Sequence, residues 1–321
     1  MDATSPGACD VSVIAVSIII VNWNTRDILR DCLSSIAAET KMRHEVIVID
    51  NASADGSADM VAAEFPDVRL IANEDNRGFA GANNQGLAVA TGAKVLLLNP
   101  DTIILDGAID KMADWLDANR DVGCVGCQVL EDADVIQRTC FAETGPLNLA
   151  LVEFGLHRLR PRHPFWGRPE YGNWDRDTLR DVDVVSGMFM LVPRQVLEVV
   201  GPLDDAFFIY SEEADWCRRI RDAGWRCVFA PVAQIVHLDG GSKSTAQIRS
   251  KMYVQMQKSK MIYLRKHYGL WGVFRGRMVF VGSSILRFVM SVTNQREEAA
   301  ARRRLARASL RYHLTSQEPT E

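Results

Sequence analysis

The chain has 321 residues, 47% of them hydrophobic and 24% charged, with a formal net charge of −4. These values describe a globular protein with one large α/β domain and an appendage, or two domains, and exclude a disordered or collagen-like chain. The charge is uneven: residues 258–321 hold 13 Lys and Arg against 4 Asp and Glu, a net of +9, which leaves the remainder at −13.

The first ten residues, MDATSPGACD, carry no basic region and do not read as a signal peptide; residues 1–14 read as a disordered lead-in. From Val11 to Val21 an apolar, mostly β-branched run predicts a buried strand. Asn22-Trp23-Asn24-Thr25 closes it, and Ile28, Leu29, Cys32, Leu33 and Ile36 then recur at helical spacing. Glu45 to Ile49 predicts a second strand, followed after Asp50-Asn51-Ala52-Ser53 by a short helix to Phe65. Val68 to Ile71 is a third strand, and Gly78 to Ala90 a helix of small residues suited to close packing on a strand or a ligand. Lys94 to Leu98 is a fourth strand. Strands alternating with helices predict a mostly parallel sheet covered on both faces. Ligands of such sheets sit outside the carboxyl ends of the strands. Polar residues collect there: Asn22 and Asn24, Asp50 and Asn51, Asn73 to Arg77, Asn99 and Asp101.

Further along, Asp106 to Asn119 predicts a helix and Gly123 to Leu130 a strand. Cys124 and Cys127 have C-x-x-C spacing without a second pair, so they read as buried thiols. Seven cysteines without dense spacing favour a reducing, cytosolic compartment. Residues 140–180 read as a long irregular segment, aromatic and basic, with Phe165, Trp166, Tyr171 and Trp174 in it, of the kind that is functional or mobile. Asp183 to Val192 and Arg226 to Phe229 predict strands.

Between them lies FFIYSEEADWCRRIRDAGW, residues 207–225. Its apolar start, a buried strand or turn, delivers Glu212, Glu213 and Asp215 to the first turn of a helix that Gly224 stops. Acids there suit the helix dipole, and beside an apolar segment they are also candidates for general-base or metal work. From Tyr253 onward the pattern is helical. Trp271, Phe274, Met278, Val281, Ile285, Phe288 and Val292 share a face, opposite Arg277, Ser284 and Arg287. Arginines interrupt the apolar run, so it is too broken to span a bilayer. It reads as a basic amphipathic helix in an anionic membrane interface, or as a helix packed on the domain or on a second copy.

The pieces VSIIIVNWNT, VIVIDNASADGS, NRGFAGANNQG, LLLNPDT, DVVSGMFMLVPR, FFIYSEEADWCRRIRDAGW and HLDGGS run in order over about residues 15–245. Together they resemble glycosyltransferase family 2, with the GT-A fold, and its bacterial rhamnosyltransferase-like branch. The resemblance implies a GT-A domain over 15–250, followed by a helical extension over 251–321. It implies an inverting, Mg²⁺- or Mn²⁺-dependent transfer from a dTDP- or UDP-sugar, with dTDP-L-rhamnose as the donor. The implied acceptor is a cell-envelope or lipid-linked glycan. Asp50, Asn51, Asn22 and Asn24 then fall at the nucleotide, Asn76 and Arg77 near the diphosphate or sugar, and Trp216 on the substrate side. Asn99 and Asp101 stand at the DXD-type motif, with Asn in place of its first acid, so Asp101 carries the metal contact and His237 completes it. Glu213 occupies the place of the base, where the family usually has Asp. Glu212 supports it and Asp215 is the reserve. A cytoplasmic protein peripheral to the inner face of the plasma membrane is implied, with a possible homo-oligomer and no nucleic acid.

Two rival functions are a non-catalytic sugar-nucleotide binder with a decayed site and a sugar nucleotidyltransferase. The latter is expected to carry a Gly-rich basic loop after the first strand, and VNWNT has neither Gly nor Lys. A dinucleotide oxidoreductase fails for want of G-x-G-x-x-G there.

Overall fold

The structure, a computed structural model, describes residues 14–131, 135–238, 249–292 and 297–318. Nearly all of the expected lead-in, and the part of HLDGGS after Leu238, lie outside the described residues.

The first half alternates as the sequence predicts: β1 Val16–Asn22, α1 Arg26–Glu39, β2 His44–Asp50, α2 Ser57–Glu64, β3 Arg69–Ala72, α3 Gly78–Val89 and β4 Lys94–Leu98. Then come β5 Thr102–Ile104, α4 Ala108–Ala118, β6 Val122–Glu131, β7 Val135–Ile136, β8 Cys140–Phe141 and α5 Pro146–Glu153. The remainder is β9 Arg180–Asp181, β10 Val184–Val185, β11 Phe189–Pro193, α6 Arg194–Val200, α7 Glu212–Asp222, β12 Arg226–His237, α8 Arg249–Val292 and α9 Glu297–Thr315.

The main sheet runs β3-β2-β1-β4-β11-β6-β12-β5. Strands β3, β2, β1 and β4 are parallel; β11 is antiparallel to both its neighbours, and β5 is antiparallel to β12. Side chains of a strand alternate between faces. Ile18, Ile20, Val48, Leu96 and Leu98 accordingly join one buried cluster with α1 and α4. Ile19, Ile47, Ile49, Val95 and Leu97 join a second cluster with α3 and α7. Burying each such side chain stabilises the fold by roughly 1.5–3 kcal/mol. Helix α3 approaches β1 closely because Gly86 has no Cβ; one there would lie 2.5 Å from Ile19 Cγ2.

Four elements differ from expectation. The expected strand from Asp183 to Val192 is two: β10 pairs with β8 in a separate small sheet, while β11 enters the main one. The strand from Arg226 continues to His237, with a register shift between Phe229 and Gln234. Strand β5, three residues long, gives no periodic signal, yet it pairs Thr102 with His237. The segment 140–180 is ordered rather than structureless. It holds α5, and the buried Arg176 donates to the carbonyls of Trp174, Cys140 and Glu170.

Helix α8 is broken at Gly269, where φ is 62° and ψ is −158°. Before the break it is part of the body: Tyr263 is fully buried in a cluster with Val184, Phe207 and Ala214. Beyond it, α9 packs back on α8, joined by Ser284 Oγ–Ser309 Oγ at 2.8 Å and His313 stacked on Phe280.

Candidate functional site

The parallel strands end level with one another. Asn22 is opposite Asp50, and Asp50 is opposite Ala72. Asn22 Nδ2 donates to Asp50 Oδ1 at 2.9 Å and lies 3.1 Å from Ser53 Oγ, while Thr25 Oγ1 donates to Asn22 Oδ1. The backbone N–H of Asn24 donates to Ser53 Oγ, and Asn24 Oδ1 accepts from Ala54 N–H. Asn51 Nδ2 donates to Asn76 Oδ1 at 2.9 Å, and Asn51 Oδ1 accepts the Arg77 N–H at 2.9 Å. These bonds tie three strand-end loops into one rim. Asn22, Asp50 and Asn51 are buried in it, while Asn24, Asn76 and Arg77 are exposed along it. Ser53, Asn73 and Thr25 belong to the same network; none of them has a site role legible in the sequence, where only Asn73 counts among the strand-end polar groups, since short polar residues after strands are ordinary turn formers.

Asp101 and His237 meet because β5 pairs with β12. The two side chains are buried, with Asp101 Oδ1 3.1 Å from His237 Nε2. The contact is close without hydrogen-bond geometry, and Asp101 Oδ1 and both ring nitrogens of His237 have no hydrogen-bond partner. Buried polar atoms are almost always paired. A carboxylate and an imidazole left with free lone pairs therefore fit a divalent cation. Mg²⁺ commonly takes one or two protein groups and completes its shell with water and substrate phosphate. Among the described residues no cluster of three or more His, Cys, Asp or Glu could hold a metal alone. Asn99 is next to this pair on the β4 end, its N–H donating to Met188 O at 3.2 Å.

The segment before α7 is a turn rather than a strand. Tyr210 and Ser211 both take left-handed backbone angles with φ of 70°, a costly conformation for two successive non-glycine residues. Three anchors hold it: Phe207 is fully buried, Phe208 O accepts the Phe79 N–H at 2.6 Å, and Ile209 O accepts from Ser259 Oγ at 2.8 Å. Gly78 permits the second, since a Cβ there would lie 2.2 Å from Phe208 O. The turn therefore sits on the N-terminus of α3, and the Phe79 ring in turn lies against Gly187 of the 186–188 link.

Glu212 and Glu213 start α7 from this turn. Glu212 is buried and Glu213 half-buried, and Oε2 of each lacks a hydrogen-bond partner. Burial pushes the Glu213 carboxyl up to about 7, against the pull of the backbone N–H groups at the helix start. Burial, then the charge of Glu213, raises Glu212 well above the usual carboxylate range. Glu213 is thus placed to exchange a proton near neutral pH, as a general base requires.

Asp215 and Trp216 do not take their expected places. Asp215 is fully buried and saturated: Arg219 Nε at 2.9 Å, Lys266 Nζ at 2.9 Å and His267 Nε2 at 2.8 Å. A carboxylate so held cannot serve as a reserve base; it locks α7 to α8. Trp216 is fully buried, its Nε1 donating to Gly201 O, so it is core and not a substrate contact. Both point inward because α7 is amphipathic, and residues 215 and 216 lie on its core face. In the aromatic segment Trp174 packs edge-on against Phe229 and the Tyr171 hydroxyl accepts the Asp183 N–H. That leaves Phe165 exposed and Trp166 half-buried against it. Cys124 and Cys127 are buried free thiols, as expected.

The mostly parallel sheet, with its Asn/Asp rim at the strand ends, has the architecture of a glycosyltransferase of the GT-A fold. The model of "Glycosyl transferase family 2" matches residues 17–200, and the chain belongs to that family. It is 26% identical to the N-acetylglucosaminyl-diphospho-decaprenol L-rhamnosyltransferase of Mycobacterium tuberculosis, over 89% of this chain and 95% of that protein. It is also 26% identical to the O-antigen biosynthesis protein RfbC of Myxococcus xanthus, over 74% of this chain and 18% of that protein. Among solved structures, the mannosyltransferase PcManGT from Pyrobaculum calidifontis in complex with GDP-Man and Mn²⁺ superposes with a TM-score of 0.54. It is 19% identical and the match covers 97% of this chain and 90% of that one.

Proposed function

We propose that the chain is an inverting, metal-dependent rhamnosyltransferase moving L-rhamnose from dTDP-L-rhamnose to a hydroxyl of a lipid-linked, cell-envelope glycan. The observation that carries the reaction is the Glu212–Glu213 pair, each with Oε2 free of a hydrogen-bond partner and Glu213 able to accept a proton near neutral pH. The Mycobacterium tuberculosis relative, aligned over 89% of this chain, supports the sugar and the lipid-linked acceptor. Glu213 takes the acceptor hydroxyl proton as that oxygen bonds to the anomeric carbon. The bond from that carbon to the diphosphate breaks on the opposite face, and the nucleoside diphosphate leaves. The rim of Asn22, Asp50 and Asn51 holds the nucleotide, and Asn76 and Arg77 contact the diphosphate or sugar. Asp101 and His237, with Asn99 beside them, would hold Mg²⁺ or Mn²⁺, which when bound neutralises charge on the departing diphosphate. Transfer at a lipid-linked acceptor places the protein at the inner face of the plasma membrane; no described helix is long and apolar enough to cross it.

The test is a donor panel assayed with and without Mn²⁺, on the wild type and Asp101→Ala. dTDP-L-rhamnose turnover is expected only with metal, and Asp101→Ala should weaken nucleotide binding only when metal is present. Equal weakening without metal removes Asp101 from the cation site. Tight nucleotide binding with no turnover of any donor identifies a binding protein instead.

A further inference from the structure

Past Gly269, α8 leaves a row of large apolar side chains in the open. Ser284 is fully buried against Ser309, while Trp271, Phe274, Met278, Ile285 and Val292 are exposed, Trp271 at 72%. The side facing the protein mixes Phe280 with Ser283, Ser284 and Ser291, while the outward side carries this apolar row together with the exposed Arg275 and Arg277. At the outer end of this stripe, Leu286 and Met290 border a cavity of about 440 Å³ between α5, α8 and α9. Its wall combines apolar groups (Leu286, Met290, Leu305) with Arg158 and Arg302. Glu153, the acid on that wall, is already matched by Arg287 at 2.9 Å and Lys260 at 3.3 Å. Arg158 is exposed, and the residue after it, Leu159, is 72% exposed.

We propose that this face is a docking surface for an anionic phospholipid bilayer, with a lipid phosphate at Arg158 and its chain along Leu286, Met290 and Leu305. It rests on the peripheral-membrane part of the function proposed above and is independent of the donor. Charge selects the occupant. The tail is +9 on a body of −13, so an anionic surface attracts the tail and repels the rest of the molecule, which orients it. A second copy fits less well, because a two-fold contact sets each patch against its own image and brings the two sets of arginines together. A nucleic acid would match the arginines and leave the apolar stripe in water.

The experiment floats the full chain with vesicles of equal parts phosphatidylglycerol and phosphatidylcholine, and with phosphatidylcholine alone. The wild type should float with the anionic vesicles and remain behind with the neutral ones. Arg158→Glu should lower partition at least about fivefold, since each basic residue near an anionic surface contributes about that factor. The Leu286→Glu/Met290→Glu double variant should lower it at least about tenfold. Both variants should keep the wild-type rate of donor hydrolysis in the absence of vesicles. Equal flotation with both vesicle types, or variants that float as the wild type does, overturns the proposal. So does sedimentation showing a dimer that the double variant abolishes while the wild type ignores vesicles. If vesicle binding behaves as described but no donor is turned over, the transfer reading fails and the docking surface stands.

Discussion

Glu213→Gln should remove activity and add stability, and the two effects come from one cause. The amide keeps the size of the side chain and its place at the α7 start but cannot accept a proton. A positioned general base contributes about 10²–10⁴-fold to rate, so kcat should fall by at least about 100-fold with donor affinity nearly unchanged. For stability, the folded state keeps the Glu213 proton up to about pH 7 because the group is buried. An unfolded chain releases it near about 4.3. Between those values the folded state binds more protons, so its stability falls as pH rises, and the loss is complete above about pH 7. The difference is worth about 2–3 kcal/mol after allowing for the partial exposure of the side chain. Glu213→Gln escapes it. The variant should therefore gain on the wild type from about pH 5 to about pH 7 in urea unfolding and hold a constant advantage above that, while wild-type kcat rises through about pH 7 as the base is freed. A variant within about tenfold of wild-type kcat would refute the base assignment. A pH-independent stability difference would refute the claim that burial holds the proton.

Asp215→Asn should destabilise the protein by about 3–5 kcal/mol, because it strips the anion from Arg219, Lys266 and His267 at a fully buried site. An unchanged thermal midpoint, or unchanged protease resistance of α8, would remove Asp215 from its locking role. Gly78→Ala forces a Cβ to within 2.2 Å of Phe208 O at a φ of +72°, so it should cost at least about 1–3 kcal/mol. It should also lower kcat beyond what unfolding explains, since the turn presenting Glu212 and Glu213 rests on α3; wild-type kcat in the folded fraction would sever that link.

The first half of the fold was legible because its signals are local. Runs such as Val95 to Leu98 are apolar throughout, as strands covered on both faces must be, and Lys94–Leu98 appears with the bounds the sequence suggested. The strand-end rim was legible for the same reason: its polar groups stand at the ends of their strands or a few residues beyond. What escaped depends on partners distant in sequence. Strand β5 exists through its pairing with β12, and β10 leaves the expected strand because β8 offers it a partner. Asp215 looked like a third catalytic acid because three acids in a first helical turn are equivalent on paper. Only the helix phase, and the cations Lys266 and His267 some 50 residues on, separate it from Glu213.

That separation also changes what the C-terminal extension is. The sequence offered a helix on a membrane, or a helix packed on the domain or on a second copy; the structure shows packing on the domain up to the break, and the membrane role of the outer stretch belongs to the proposal above. Up to His267 α8 is packed: Ser259 holds the carbonyl of Ile209, Tyr263 fills the space beside Phe207, and Lys266 and His267 neutralise Asp215. After Gly269 the same helix turns an apolar face outward. Deleting everything past about residue 255 therefore tests no membrane role, because it also strips the partners of a buried carboxylate and unpacks the turn before Glu212. Substitutions confined to the outward face leave those contacts intact. The same reasoning makes Gly269 the informative position between the two stretches. Its φ of 62° is one that side chains other than glycine rarely adopt. Gly269→Ala should thus misdirect the outer stretch of α8 while the Asp215 lock holds, lowering vesicle binding with little change in the rate of donor hydrolysis. An equal fall in both would mean that the two stretches act as one.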